Sequence, residues 1–236
     1  PDAAISKFEV ELLNEFTPPR LAYMAWTVVV YGLTFGALFL SASSAAQEFE
    51  QETLDELTMS NQSANAIYTA KMFSGVILSY ISVPAVLLLA QGLFGLWPKG
   101  DLVVFFLMTL PLALFSAGLG VIIGSFMRNS VYVVPLSAMG ALFYWIVGGG
   151  IAPLSLVGMG FVVVNEYSPF SNVYRTMIEM LVQGTYTHLL VDLTTIWVLA
   201  CLFLLISPAI ADRAARTDFT GKIEQIRQKR QMGTTP

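Results

Sequence analysis

The chain has 236 residues, of which 56% are hydrophobic and only 12% charged, with a mean hydropathy of +0.68 and a net charge of -4. A water-soluble domain needs about twice that charged fraction to cover its surface, so the composition excludes a soluble enzyme or carrier and specifies an all-α polytopic membrane protein of one domain. Its few charges form no basic face for nucleic acid, its one histidine, His188, cannot anchor a metal cluster, and its one cysteine, Cys201, lies in an apolar run where it reads as a small packed side chain.

Residues 1–20 read as an external, interfacial amphipathic segment, with Phe8, Val10, Leu12, Leu13 and Phe16 on its apolar side and a Pro18-Pro19 break at its end. From Leu21 to Gln47 there are 27 residues without a charge. About 20 helical residues cross a hydrocarbon core of ~30 Å, which predicts a first span over 21–44. An acidic insert follows, running from Ser44 to Lys71. Glu48, Glu50, Glu52, Asp55 and Glu56 fall within nine residues, while Phe49, Thr53 and Leu57 recur every four with Leu54 beside them. That spacing gives one less polar stripe. Ser44, with Gln47 three residues later, reads as a capping box and predicts a separate helix over 45–58. Spacing alone leaves two readings level, a solvated loop helix and a helix presented to a partner.

A second span is predicted over 67–96, followed by the loop GLWPKGD, in which Trp97 suits the headgroup level. The third, 102–127, carries Gly118, Gly120 and Gly124 along one flank, a pattern for close helix packing either within the subunit or against another copy. The fourth apolar run, Asn129 to Asn165, holds 37 uncharged residues. As one helix it would be about 55 Å long against a core of ~30 Å, so it must break. Gly148, Gly149 and Gly150 followed by Pro153 supply the break by removing helix propensity and then a backbone donor. This predicts a span over 131–150 and a remnant over 152–165, too short to cross, as a re-entrant or interfacial external helix. Residues 170–183 read as a further external helix, 189–211 as the last span, and 213–236 as a basic tail.

Charge asymmetry orients this plan. Lys71, Arg128, Arg213, Arg216, Lys222, Arg227, Lys229 and Arg230 fall on one side, and Lys7, Arg20, Lys99 and Arg175 on the other. The positive-inside rule places the insert and the tail in the cytoplasm and Pro1 outside. A chain that starts outside without a signal segment predicts that a further span precedes it. The spans hold almost nothing ionisable, Lys71 and Asp192 lying at their ends, which disfavours proton relays, voltage sensors and ion-coupled carriers. No nucleophile with its base, carboxylate pair or phosphate loop can be assembled, so the chain reads as no enzyme, binding no metal and no cofactor of its own. Externally, Glu166, Arg175 and Glu179 are candidates for a gate, with ordinary surface ion pairs as the simpler reading. The Phe, Tyr, Met and small residues of the spans suit an amphipathic or hydrophobic cargo, and equally suit packing and lipid contact.

Glu48 or Glu50, Thr53-Leu54, Leu57, Ser60 and Lys71 keep the order and spacing of a signature, and in this the insert resembles that of type-two ABC exporter permeases. Gly148 to Pro153 resembles that family's Gly-rich, Pro-terminated break, and Tyr167 to Gly184 its Pro-containing external helix with an Arg. Glu52, Asn61 and Ala70 depart from it, standing where Gly, Pro and Gly are usual. The resemblance implies the last five helices of a six-span permease in the cell membrane, pairing with a second permease subunit as a homo- or heterodimer. It implies a separate ATPase subunit that binds ATP and Mg and seats the 45–58 coupling helix, with Glu48, Phe49, Glu50, Glu52, Thr53, Leu54 and Leu57 as the contact surface. The activity it implies is ATP-driven export or flipping of a substrate. A reading of another class stays open beside it, a non-transporting membrane scaffold that recruits a cytoplasmic partner through the same acidic helix.

Overall fold

The computed structural model describes residues 20–51, 63–95, 99–150, 169–184 and 189–232. Every element among them is helical: α1 (Arg20–Glu50), α2 (Ala64–Phe94), α3 (Leu102–Met127), α4 (Ser130–Val147), α5 (Pro169–Ile178) with a π-helical continuation (Glu179–Gln183), and α6 (Leu189–Met232). Helix is the form expected of such apolar segments, because in hydrocarbon each backbone N–H and C=O must find a partner inside its own segment. Five of these helices, α1, α2, α3, α4 and α6, are long and apolar enough to cross a membrane, and the chain is a multi-pass membrane protein. Internal prolines at Pro84, Pro111, Pro135 and Pro208 interrupt α2, α3, α4 and α6 without ending them.

One boundary differs from the sequence reading. α1 runs unbroken through Ser44 to Glu50, so no helix begins at Ser44 and residues 45–50 belong to the first span's own helix. The stretch from Ala42 to Glu50 contains neither Gly nor Pro and is rich in good helix formers, which propagate a helix already nucleated more readily than they start a new one. At 31 residues α1 is about 46 Å long, so its polar last turns extend beyond the hydrocarbon. The basic tail after the last span is helical, since the 44 residues of α6 continue to Met232 with a single glycine, Gly221, in that part. Residues 1–19, the remnant 152–165 and the second half of the predicted 45–58 helix, from residue 52, lie outside the described residues.

The described residues fall into two compact units, and the division passes through all five long helices. One takes its residues from Pro1–Thr34, Tyr80–Leu112 and Gly140–Val198, the other from Phe35–Ser79, Ala113–Met139 and Leu199–Pro236. In the first, Trp26, Val30 and Leu33 of α1, Phe105 and Met108 of α3, and Tyr174, Met177 and Met180 beyond them are almost wholly buried. Tyr80 donates to Thr109 Oγ1 at 2.7 Å, and the Tyr31 ring lies 5.3 Å from that of Trp145.

The second unit is built on a seam of small residues. Ala37, Ala42, Ala45 and Ala46 of α1 are fully buried, and α3 meets them with glycines four residues apart. A Cβ on Gly120 would stand 2.2 Å from the Leu38 carbonyl oxygen, and one on Gly124 2.2 Å from that of Ala42. Backbone on backbone approach of this kind is how helices associate where burial from water supplies no drive. The glycine flank is therefore used within the chain. Gly120→Leu is expected to push α1 and α3 apart and to lower stability by about 1–3 kcal/mol, read as a fall in the thermal midpoint of the detergent-solubilised protein. Outward positions such as Val131, Met139 and Phe143 remain apolar and exposed, as a surface meeting lipid requires. Cys201 is also exposed on α6, contrary to the packed position read from its apolar run; its neighbours Leu202 and Leu205 share that outward apolar surface.

Candidate functional site

The base of the acidic insert brings charged and hydroxyl side chains together. It lies in the unit that holds the end of α1, the start of α2 and the α3–α4 junction. Lys71 Nζ donates to Glu48 Oε1 at 2.6 Å, to the Ser44 carbonyl at 2.9 Å and to Ser44 Oγ at 3.2 Å. The two charged side chains keep only 12% and 18% of their surface exposed. Ser41 Oγ donates in turn to the Lys71 carbonyl at 3.4 Å. The lysine and the glutamate thus sit one on each helix that flanks the insert, and they bridge its two ends.

The next turn of α1 ties to the α3–α4 junction. Arg128 ends α3 with φ +54, the one positive φ among described residues other than glycine, a conformation that costs about 1–2 kcal/mol in a residue with a Cβ. Its Nη2 donates to the Ala214 carbonyl at 3.0 Å, and its guanidinium lies over the Phe49 ring, 5.4 Å from the centroid. These contacts hold the strained position. Asn129 then caps α4, its Oδ1 accepting from the Val131 N–H at 2.9 Å. Glu50 supplies the anion that a helix N-terminus favours, accepting from the Ser130 N–H and the Ser130 hydroxyl, each at 2.8 Å.

Of the residues read as a contact surface, Glu48, Phe49 and Glu50 are therefore engaged by their own chain, while Glu52, Thr53, Leu54 and Leu57 lie outside the described residues. Sequence spacing does not single out Lys71, Arg128 and Ser130 as partners of this surface. Opposite charges at the two ends of one insert are the available signal for the first. The sequence around Arg128 and Ser130 offers none for the others.

The break after α4 stands in the other unit. α4 ends at Val147, Gly149 adopts φ +83, and the N–H groups of Gly149 and Gly150 donate to the carbonyls of Ile146 at 3.0 Å and Trp145 at 2.8 Å. This is a Schellman ending, in which only glycine takes the left-handed residue without strain. A Cβ on Gly148 would stand 2.8 Å from the Tyr174 ring. Tyr23 donates its hydroxyl to the Gly149 carbonyl, and Ser171 donates to that of Val147 at 2.7 Å. Pro153 lies outside the described residues.

The α5 segment is fixed a second time, by Thr176 Oγ1 donating to Asp192 Oδ2 near the start of α6. Asp192 is only 4% exposed, and its place in the first turn of α6 sets its charge against the positive helix end. Thr176→Val, which keeps the shape and removes the donor, is expected to cost about 1–3 kcal/mol, measured as a lowered thermal midpoint, with Thr176→Ser restoring most of it. Of the candidate gate, Arg175 is exposed on α5 and Glu179 opens the π-helical turn, its carbonyl accepting from Gly184 at 3.0 Å. Glu166 lies outside the described residues. Several span hydroxyls are turned onto their own helices, as Thr34 to the Val30 carbonyl at 3.0 Å and Ser125 to that of Val121 at 2.8 Å, an arrangement for packing.

The sequence profile of the family described as ABC-2 type transporter matches residues 19–182, which takes in α1 to α5 with the base of the insert and the glycine break. No curated protein matches the chain.

Proposed function

Because the chain belongs to the ABC-2 type transporter family and is a transmembrane subunit of an ABC transporter, we propose that it exports or flips its substrate with energy from ATP hydrolysed in a separate subunit docked on its acidic insert. The substrate class that suits the apolar, aromatic spans is amphipathic or hydrophobic. The insert lies on the cytoplasmic side with the end of α6, a second permease subunit completes the pathway, and ATP and Mg belong to the ATPase partner. The docking surface is the stretch after Glu50, where Glu52, Thr53, Leu54 and Leu57 supply an apolar stripe with acids at its edge. Apolar residues of that stripe fill a groove, and the acids meet basic groups at its rim.

The observation that carries this reading is the built base: the ends of the two helices flanking an acidic insert are joined by a partly buried ion pair and tied onward to α4 and α6. A free solvated loop has no need of such a foundation. Co-expression with candidate ATPase subunits, purification of the complex and reconstitution into vesicles tests it. The expected result is a stable complex that carries a fluorescent amphipathic probe across the bilayer when ATP is added. A stable complex that never moves any probe would return the chain to the scaffold reading.

A further inference from the structure

We propose that Ser44, Glu48 and Lys71 form a clasp that makes the end of α1 and the start of α2 one rigid base, and that Glu48 and Lys71 are positioning residues for energy coupling and not contacts to the ATPase. This rests on the permease reading above and deepens it.

Lysine has three donors and no acceptor, and all three hydrogen-bond contacts of Lys71 Nζ go to one turn of α1, at Ser44 O, Ser44 Oγ and Glu48 Oε1. One side chain of α2 is thus held at three points on α1. The pair is largely shielded from solvent, so salt screens it little. Just beyond it the two helices have no slack: a Cβ on Gly75 would stand 2.1 Å from Ser41 Oγ and 3.1 Å from the Ala37 carbonyl oxygen. The residues of α1 that follow are fastened as well, Glu50 to Ser130 and Phe49 under Arg128, which itself reaches Ala214.

A force applied to the insert meets two chain ends, Gln51 at one side and Ser63 at the other. Without the clasp each end would move its own helix, and a displacement could be absorbed as a change in the angle between them. With the clasp, both helices move as one body, since packed elements shift between discrete arrangements and do not deform continuously. Glu48, turned inward onto Lys71, is spent on this and is not presented to a partner.

The test uses the chain in nanodiscs with the ATPase subunit that co-purifies with it. Spin labels at Gly32→Cys and Gly92→Cys, in a Cys201→Ser background, report on α1 and α2 away from the clasp at positions where an added side chain meets open space. In the unmodified clasp, trapping the ATPase with Mg-ATP and vanadate is expected to shift the distance between the labels. In Glu48→Gln with Lys71→Met, a neutral pair that leaves no buried lone charge, the complex should form as before while the shift is lost and permease-dependent ATP turnover falls by about tenfold. Lys71→Arg and the reversed pair Glu48→Lys with Lys71→Glu should recover both. A neutral pair that keeps the full shift overturns the clasp, as does one that abolishes the complex. Failure of the unmodified chain to form any complex overturns the proposed ATP-coupled function itself, a separate result.

Discussion

Lys71→Met is expected to lower the unfolding free energy by about 1–3 kcal/mol, because it leaves the partly buried Glu48 carboxylate without its counter-charge. The Glu48 side chain is 18% exposed and its 2.6 Å partner is the lysine, so water returns only part of the lost Coulomb energy. The methionine keeps most of the volume, which confines the effect to charge and hydrogen bonding. Adding Glu48→Gln should restore the larger part of the loss, since a neutral pair of similar shape costs far less than one orphaned ion. Thermal unfolding of the single and double variants in the same detergent decides it. A double variant as unstable as Lys71→Met would mean that packing, and not charge, holds the base.

Leu54→Asp together with Leu57→Asp should weaken association with the ATPase subunit at least about thirtyfold, the loss expected when two apolar anchors worth about 2 kcal/mol or more are removed from a buried groove. The substitution also adds charge to a segment already rich in acid, so the groove would have to bury two carboxylates without partners. Fold stability should change little, which separates this result from the one for Lys71. Titration of the labelled complex gives the affinity, and thermal unfolding of the isolated chain gives the control. Unchanged binding would remove the insert as the docking surface.

The spans are legible in the amino-acid sequence because their signal is a physical requirement and not a preference. A charge-free run must be long enough to cross hydrocarbon, and a run too long must break. The break at Gly148 to Gly150 is legible for the same reason, since three successive residues of low helix propensity after an apolar run leave a helix nowhere to go. The Ser44 boundary is not, because a Ser-x-x-Gln pattern is a local signal that competes with propagation of a long helix already under way, and because the Ser44 hydroxyl finds its partner 27 residues downstream on another helix. The same nonlocality hides the roles of Arg128 and Asp192. Each is placed by a residue far along the chain, Ala214 for the one and Thr176 for the other, and no periodicity encodes such pairs. Glu48 and Glu50 stand out in the sequence as acids beside an apolar run, but which way each turns is decided by Lys71 and Ser130, which lie on other helices.

Pinning both ends of the insert at its root has a further effect, on how freely the insert itself can change. The distance its chain must span is fixed by the ion pair beneath it and not by the motion of two separate helices. Lengthening a segment between fixed ends is inexpensive, each doubling costing only about 0.6 kcal/mol in closure entropy even for a fully flexible chain. On the proposed docking role, residues 51–63 should accept exchange or extension while the spans keep their packing, read as an unchanged thermal midpoint of the variant chain. In such an arrangement partner choice and membrane architecture become separately evolvable, and a chimaera that transplants the insert between Gln51 and Ser63 is the natural unit for re-engineering specificity.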